Sequence, residues 1–204
     1  KYIDGAKPGM IYNTVTSECF DGKKGIKVIP CYYKKDFPEW SDRGDGPGAP
    51  VAVHLPNSPV IQTGKRDGSK IRLPNGNYLE ETASYYVLVE TKAGGMTPAL
   101  ISMKSTQLNV SKKWNSMMKT IQIPDGKGGM AIPPMHGVVY NLQSVLQKND
   151  KGSWYGWSVT QDRIMGQEDK SLYLTAKDFN STAAKGNVQT KADVEEKAKD
   201  STPY

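Results

Sequence analysis

Residues 98–121, PALISMKSTQLNVSKKWNSMMKTI, change their apolar period from that of a strand to that of a helix, and the reading of the fold turns on that change. Ala99, Ile101 and Met103 alternate with Leu100, Ser102 and Lys104, which predicts a strand with one apolar and one mostly polar face. Trp114, Met117, Met118 and Ile121 then recur at i, i+3, i+4 and i+7, which predicts a helix over about 111–121 with Trp114 in its buried stripe. Ser111 or Ser105 would cap it. Lys112 and Lys113 then fall in the first turn, where the helix dipole is already positive and an anion would relieve them; the alternative is an ordinary solvated face.

Working upstream, SYYVLVE (84–90) is a nearly continuous apolar run of the kind found in central strands buried on both faces. It follows a short strand at 78–82 and leads through a turn at 92–95 into the organising strand. Residues 44–76 are dominated by Gly, Pro, Asn and Ser, with short strand candidates at 51–54 and 60–62. Within them Lys65, Arg66, Lys70 and Arg72 read as a mobile basic loop. Nearer the N-terminus, MIYNTVTSECF, a compact Asp21–Gly25 reversal and GIKVIPCYYKK predict a β-hairpin over 10–34. Alternation sends Tyr32 inward with Val28 and Tyr33 outward beside Lys35. Pro30, which has no N–H to donate, invites a bulge that would exchange the two tyrosines.

Downstream, 138–147 and 154–159 form a further predicted hairpin, and Leu172, Ala176, Phe179 and Ala183 mark a C-terminal helix over about 168–183. The pattern predicts a mainly β fold: an OB-like Greek-key barrel built from hairpins with long loops, one inserted helix and the C-terminal helix. A two-sheet sandwich is the alternative. Residues 1–184 read as a single domain and 185–204 as a flexible tail.

The 204 residues are 37% hydrophobic and include 20 Gly and 13 Pro, a turn-rich composition. No apolar run approaches the roughly 18 residues of a membrane span, so no membrane partner is expected. The first residue is Lys1, which reads as a processed chain or a fragment. Cys19 and Cys31 lack a CxxC pattern or a neighbouring histidine, so neither a zinc site nor a disulfide framework is expected, nor any other cofactor. Enzyme motifs are scarce. His54 and His136 have no second ligand at metal spacing and read as solvated or loop-satisfying histidines. Gly126-Lys127-Gly128-Gly129 lacks the frame of a phosphate loop. Glu90-Thr91-Lys92, with Glu80 or Glu81, is the best arrangement for a metal-dependent nuclease, but Lys92 runs straight into a Gly-rich turn. A non-enzyme is expected.

The formal charge is +6, and residues 185–204 hold four lysines against four acidic residues, so the excess lies in the first 184. A basic groove with exposed aromatic rings is the chemistry that holds single-stranded nucleic acid without reading its sequence. Tyr33, Lys34, Lys35, Phe37, Trp40 and Arg43 form the densest aromatic-basic mixture in the chain. Lys65, Arg66, Lys70 and Arg72 follow on the basic loop, Lys104, Lys112 and Lys113 on the organising segment, and Trp154, Tyr155 and Trp157 after Lys148 and Lys151.

RLPNGNYLEETASYYVLVE, PALISMKSTQLNVSKKWNSMM and GSWYGW, within about residues 8–160, resemble proteins of tailed bacteriophages, among them OB-fold single-stranded-DNA-binding proteins. The resemblance implies a sequence-independent binder of single-stranded DNA in phage replication or recombination, with phage replication proteins as partners, in the cytoplasm of the infected bacterial host. The charge-balanced 185–204 departs from the acidic tail of that class. The alternative from another class is a virion structural or decoration protein.

Overall fold

The computed structural model of the chain describes residues 5–42, 49–150 and 152–188. The expectations attached to Arg43, to Lys151 and to the tail from residue 189 onward lie outside them. The elements begin with β1 (Ile11–Tyr12), β2 (Cys19–Phe20), β3 (Ile26–Trp40), β4 (Ala52–His54) and a single turn of helix, α1 (Val60–Thr63). A hairpin follows, β5 (Lys65–Asp67) and β6 (Lys70–Arg72), then β7 (Tyr78–Glu80), β8 (Thr82–Glu90) and β9 (Met96–Lys104). The second half holds α2 (Leu108–Thr120), the short pair β10 (Ile123–Pro124) and β11 (Met130–Ala131), β12 (Val138–Asn149), β13 (Gly152–Ile164) and α3 (Lys170–Ala184).

Among the described residues, nine strands form one branched antiparallel sheet around β3. On one side β3 pairs β12 near its start and β4 near its end. On the other it pairs β8 and then β7, with Trp40 opposite Tyr78 and Asp36 opposite Thr82, so β7 and β8 continue a single register. Beyond them β9 pairs β8, while β6 and β5 extend from β7. Every residue of β8 from Thr82 to Val89 is buried, as a central strand requires.

Packing comes from two faces. On the first, Trp114 and Met118 of α2 settle among Val28, Tyr85, Val87, Ile101, Met103, Val138, Tyr140 and Leu142. The Trp114 ring stacks on Tyr85 at 4.3 Å and meets Tyr140 edge-on at 5.6 Å, contacts worth about 0.5–1.5 kcal/mol each beyond burial. On the second, Ala176 of α3, with Leu172 and Phe179, covers Ile29, Cys31, Leu88 and Val139. A smaller core, Phe37, Ile71, Leu73 and Leu79 with Val60 and Ile61, lies under the branch formed by β4 to β7.

Several expectations are corrected. The sheet does not close into a barrel, OB-like or otherwise: among the described residues β9 and β13 each pair on one side only. Gln107, just past β9, sends its side-chain oxygen to the backbone N–H of Trp157 on β13 at 2.8 Å, a single bond where a barrel would place a ladder. Residues 10–20 do not pair with β3. Asn13 Oδ1 accepts the N–H groups of Val15 and Thr16, and this Asx turn folds β1 back onto β2. Val60–Thr63 is helical because Pro59 sits at φ −61°, already in the helical region. Lys65–Arg72 is an ordered hairpin turning at Gly68, whose φ of +59° suits glycine.

α2 starts at Leu108, after a 3-10 turn over Ser105–Gln107, so neither Ser111 nor Ser105 caps it and Lys112 and Lys113 lie past its first turn. Ser111 is buried instead, with its carbonyl accepting from the Tyr85 hydroxyl at 3.0 Å. Cys19 and Cys31 are both free, and burial pushes the Cys31 thiol up to about 12. No helix of the described residues is long and apolar enough to cross a membrane.

Trp114 ties α2 to the sheet, so Trp114→Ala is expected to cost about 3–5 kcal/mol of stability. Chemical denaturation checks this; a loss below about 1 kcal/mol, the scale of a peripheral contact, would mean that α2 is not held by this ring.

Candidate functional site

The pairing of β3 with β8 shifts by one residue between Pro30 and Tyr32, leaving Cys31 as the extra residue of a β-bulge. Asn180 of α3 donates its side-chain N–H to the Cys31 carbonyl, satisfying an acceptor at the bulge. The bulge exchanges the two tyrosines relative to simple alternation. Tyr33 now lies on the α2 face with Val28, its ring 5.0 Å from Tyr85. Tyr32 lies on the opposite face, half-buried, 5.8 Å from the ring of Tyr86.

Cross-strand partners share a face, so the register carries this opposite face across the whole branch. Along β3 it shows Tyr32, Lys34, Asp36, Pro38 and Trp40. β8 adds Thr82, Ser84 and Tyr86, and β9 adds Leu100, Ser102 and Lys104. Tyr78 and Glu80 of β7, Lys70 and Arg72 of β6 and Lys65 of β5 continue it. α3 covers only the part of this face that precedes the bulge. The remainder is an open platform, with a groove of about 230 Å³ bounded by Lys34, Trp40, Tyr86, Ser102 and Lys104. That volume falls below the roughly 300–1,000 Å³ of enclosed small-molecule sites, which fits a surface for an extended ligand better than a pocket.

Three cations of the platform are paired with carboxylates. Lys34 Nζ lies 3.0 Å from Asp36, Lys104 Nζ 2.7 Å from Glu80, and Arg72 2.9 Å from Asp42 and 3.3 Å from Asp67. Burial opposes the charge on Lys34, but Asp36 and Tyr86 outweigh it and hold the ammonium pKa above its ordinary value. Lys70 Nζ sits 3.5 Å from the centre of the Tyr78 ring and Lys104 Nζ 5.4 Å from that of Trp40, both cation–π contacts.

Of the residues singled out from sequence, Lys34, Trp40, Lys65, Lys70, Arg72 and Lys104 meet on this platform. Tyr33 and Phe37 do not; Phe37 is buried in the small core. Lys35 and Arg66 fall on the other face, where Lys35 pairs with Glu81 at 2.7 Å. Lys112 and Lys113 are exposed on α2, across the sheet from the platform. Trp154, Tyr155 and Trp157 lie on edge strand β13, and Trp157 packs against the α2 core. Tyr32 and Tyr78 also lie on the platform: Tyr32 through the exchange that a bulge at Pro30 allows, Tyr78 through its pairing with Trp40, for which the sequence carried no signal.

Glu80 and Glu81 precede β8 while Glu90 ends it, about 30 Å away at the rise of a strand, so the nuclease arrangement is not formed. Among the described residues no three His, Cys, Asp or Glu come together as metal ligands. His136 is not a solvated residue: it is buried against Tyr173 at 5.2 Å, and burial, then Lys177, holds its pKa below the ordinary value. A larger cleft of about 480 Å³, between the β1–β2 hairpin and the free edge of β9, is lined by apolar residues such as Ile11, Phe20, Leu100 and Trp157 and holds no charged side chain.

Beneath the platform, Glu39 is buried and accepts hydrogen bonds from Asn77 (2.6 Å), His54 (2.7 Å) and Asn75 (3.0 Å). His54 is thus paired with a carboxylate rather than solvated. The Asn77 amide lowers the Glu39 pKa most, and despite desolvation His54 and Asn75 lower it further. A carboxyl pKa depressed on folding adds stability that is complete above the unfolded value, about 4.3, and is lost as pH falls through the folded one. The wild type should therefore lose stability on acidification more steeply than Glu39→Gln. Parallel denaturation curves from neutral pH to about pH 3 test this; equal slopes would remove Glu39 from the acid response.

No curated protein and no solved structure matches the chain. A family model described as Pam3 phage gp34-like protein matches residues 1–189. With that match over nearly its whole length, the chain, whose branched sheet presents an open aromatic-basic face, belongs to the Pam3 phage gp34-like protein family.

Proposed function

We propose that this phage protein is a non-enzymatic binder of single-stranded DNA that acts in DNA replication or recombination in the infected bacterial cytoplasm. The observation that carries the reading is the open face after the bulge, where the half-buried rings of Tyr32, Trp40 and Tyr78 stand among Lys34, Lys104, Lys70 and Arg72. Stacking of bases on such rings is sequence-tolerant and worth about 1–3 kcal/mol per base, and the lysine and arginine side chains lie beside the rings. The β5–β6 hairpin extends the same face and brings Lys65 with it. A virion structural or decoration role is the second reading, supported by the exposed apolar Val51, Val53 and Leu55 around β4, of which Val53 lines the groove.

Tyr32→Ala is expected to weaken binding of a labelled single-stranded oligonucleotide by about 1–3 kcal/mol with little change in melting temperature. Tyr33→Ala should instead lower the melting temperature, because its ring packs on Tyr85. Fluorescence anisotropy and thermal melts separate the two. Absence of wild-type binding at about 50 mM salt, where phosphate contacts are strong, would end the DNA reading.

A further inference from the structure

We infer that the carboxylates of the platform make it selective for unstacked bases and reject ligands that offer charge alone. This rests on the reading of the face as a single-strand platform and names what sets its specificity. Lys34, Lys104 and Arg72 are each already engaged, by Asp36, by Glu80 and by Asp42 with Asp67. A phosphate that reaches one of these cations must displace or share it with a carboxylate. It exchanges one anion for another and releases few counterions, so the electrostatic gain that dominates most nucleic-acid binding is reduced here.

What the carboxylates leave untouched is stacking on Tyr32 and Trp40, whose half-buried rings line the open part of the face; Tyr86, on the same face, is buried. Only a ligand with accessible base planes can use those rings. A duplex keeps its bases inside the stack, and polyphosphate has none. Lys104 is central to this arrangement: one ammonium is shared between the Glu80 carboxylate and the face of Trp40. Glu80 thereby holds the cation beside the ring, where a stacked base and its phosphate would arrive together. Asp36 likewise holds Lys34 at the groove.

The test measures binding of a single-stranded oligonucleotide, the duplex of the same length and inorganic polyphosphate to the full chain and to Glu80→Gln and Asp36→Asn. Asp36 is buried, so Glu80→Gln, on a half-buried side chain, is the variant that stands if Asp36→Asn melts early. The wild type should favour the single strand over the duplex by about ten-fold or more, with a shallow salt dependence. Each variant should bind duplex and polyphosphate about five-fold tighter or more, gain less for the single strand, and show a steeper salt slope as freed lysines release counterions. A wild type that prefers the single strand, with variants that keep both its preference and its salt slope, would overturn this inference and leave the platform reading intact. A wild type that binds no single strand would overturn both.

Discussion

The extra residue in β3 is the constraint on which the two faces of this protein depend. Pro30 cannot donate to a ladder, and the pairing with β8 slips by one residue immediately after it. Because side chains alternate with period two, that slip reassigns every residue of β3 beyond Cys31 to the other face. Before the bulge, Val28 faces the α2 core and Ile29 faces α3; after it, Tyr33 and Phe37 serve the cores while Tyr32, Lys34 and Trp40 face outward. Without the slip, Lys34 and Asp36 would be driven toward the ring of Tyr85. The contact from Asn180 to the Cys31 carbonyl ties α3 to the same point, so the helix ends its cover where the exposed face begins.

An open sheet follows from how the helices are spent. α2 covers one face and touches strands at both margins, with Trp114 stacked on Tyr85 of β8 and edge-on to Tyr140 of β12. Gln107 then bridges the margins with a side chain, which satisfies one backbone group of β13 without continuing the ladder. α3, with fifteen residues, spans only the first part of the opposite face. The far branch keeps its own core of Phe37, Ile71, Leu73 and Leu79, which gives the platform a rigid underside.

Electrostatics divide the same way. Beneath the sheet, the buried Glu39 is fully engaged by His54, Asn75 and Asn77, and this network fastens β4 and the β6–β7 turn onto β3. Above the sheet, the half-exposed ammonium groups of Lys34 and Lys104 are held by the buried Asp36 and the largely buried Glu80. A net charge of +6 describes neither layer. The excess is spread over α2, the turns and the hairpin, and the platform itself is nearly balanced by Asp36, Asp42, Asp67 and Glu80.

The sequence by itself determined those elements whose signal is local. The alternation of 98–104, the apolar run of 84–90, the stripe of Trp114, Met117, Met118 and Ile121 and that of Leu172, Ala176 and Phe179 all fold as their periods required, because each is set by neighbours within a turn or two. Pro30 likewise announced the bulge. Tertiary structure decided the rest. Whether the sheet closed depended on β9 and β13, more than forty positions apart, which among the described residues each pair on one side only. Which tyrosine faced outward depended on which partner β3 found and where its register slipped. Lys65 to Arg72 became a hairpin because β7 offered an edge to pair with, and Lys104 became paired because Glu80 meets it from another strand, whereas Lys34 finds Asp36 two residues along its own strand. Period records which residues can share a face, but the free energy that selects a face comes from partners distant in the chain.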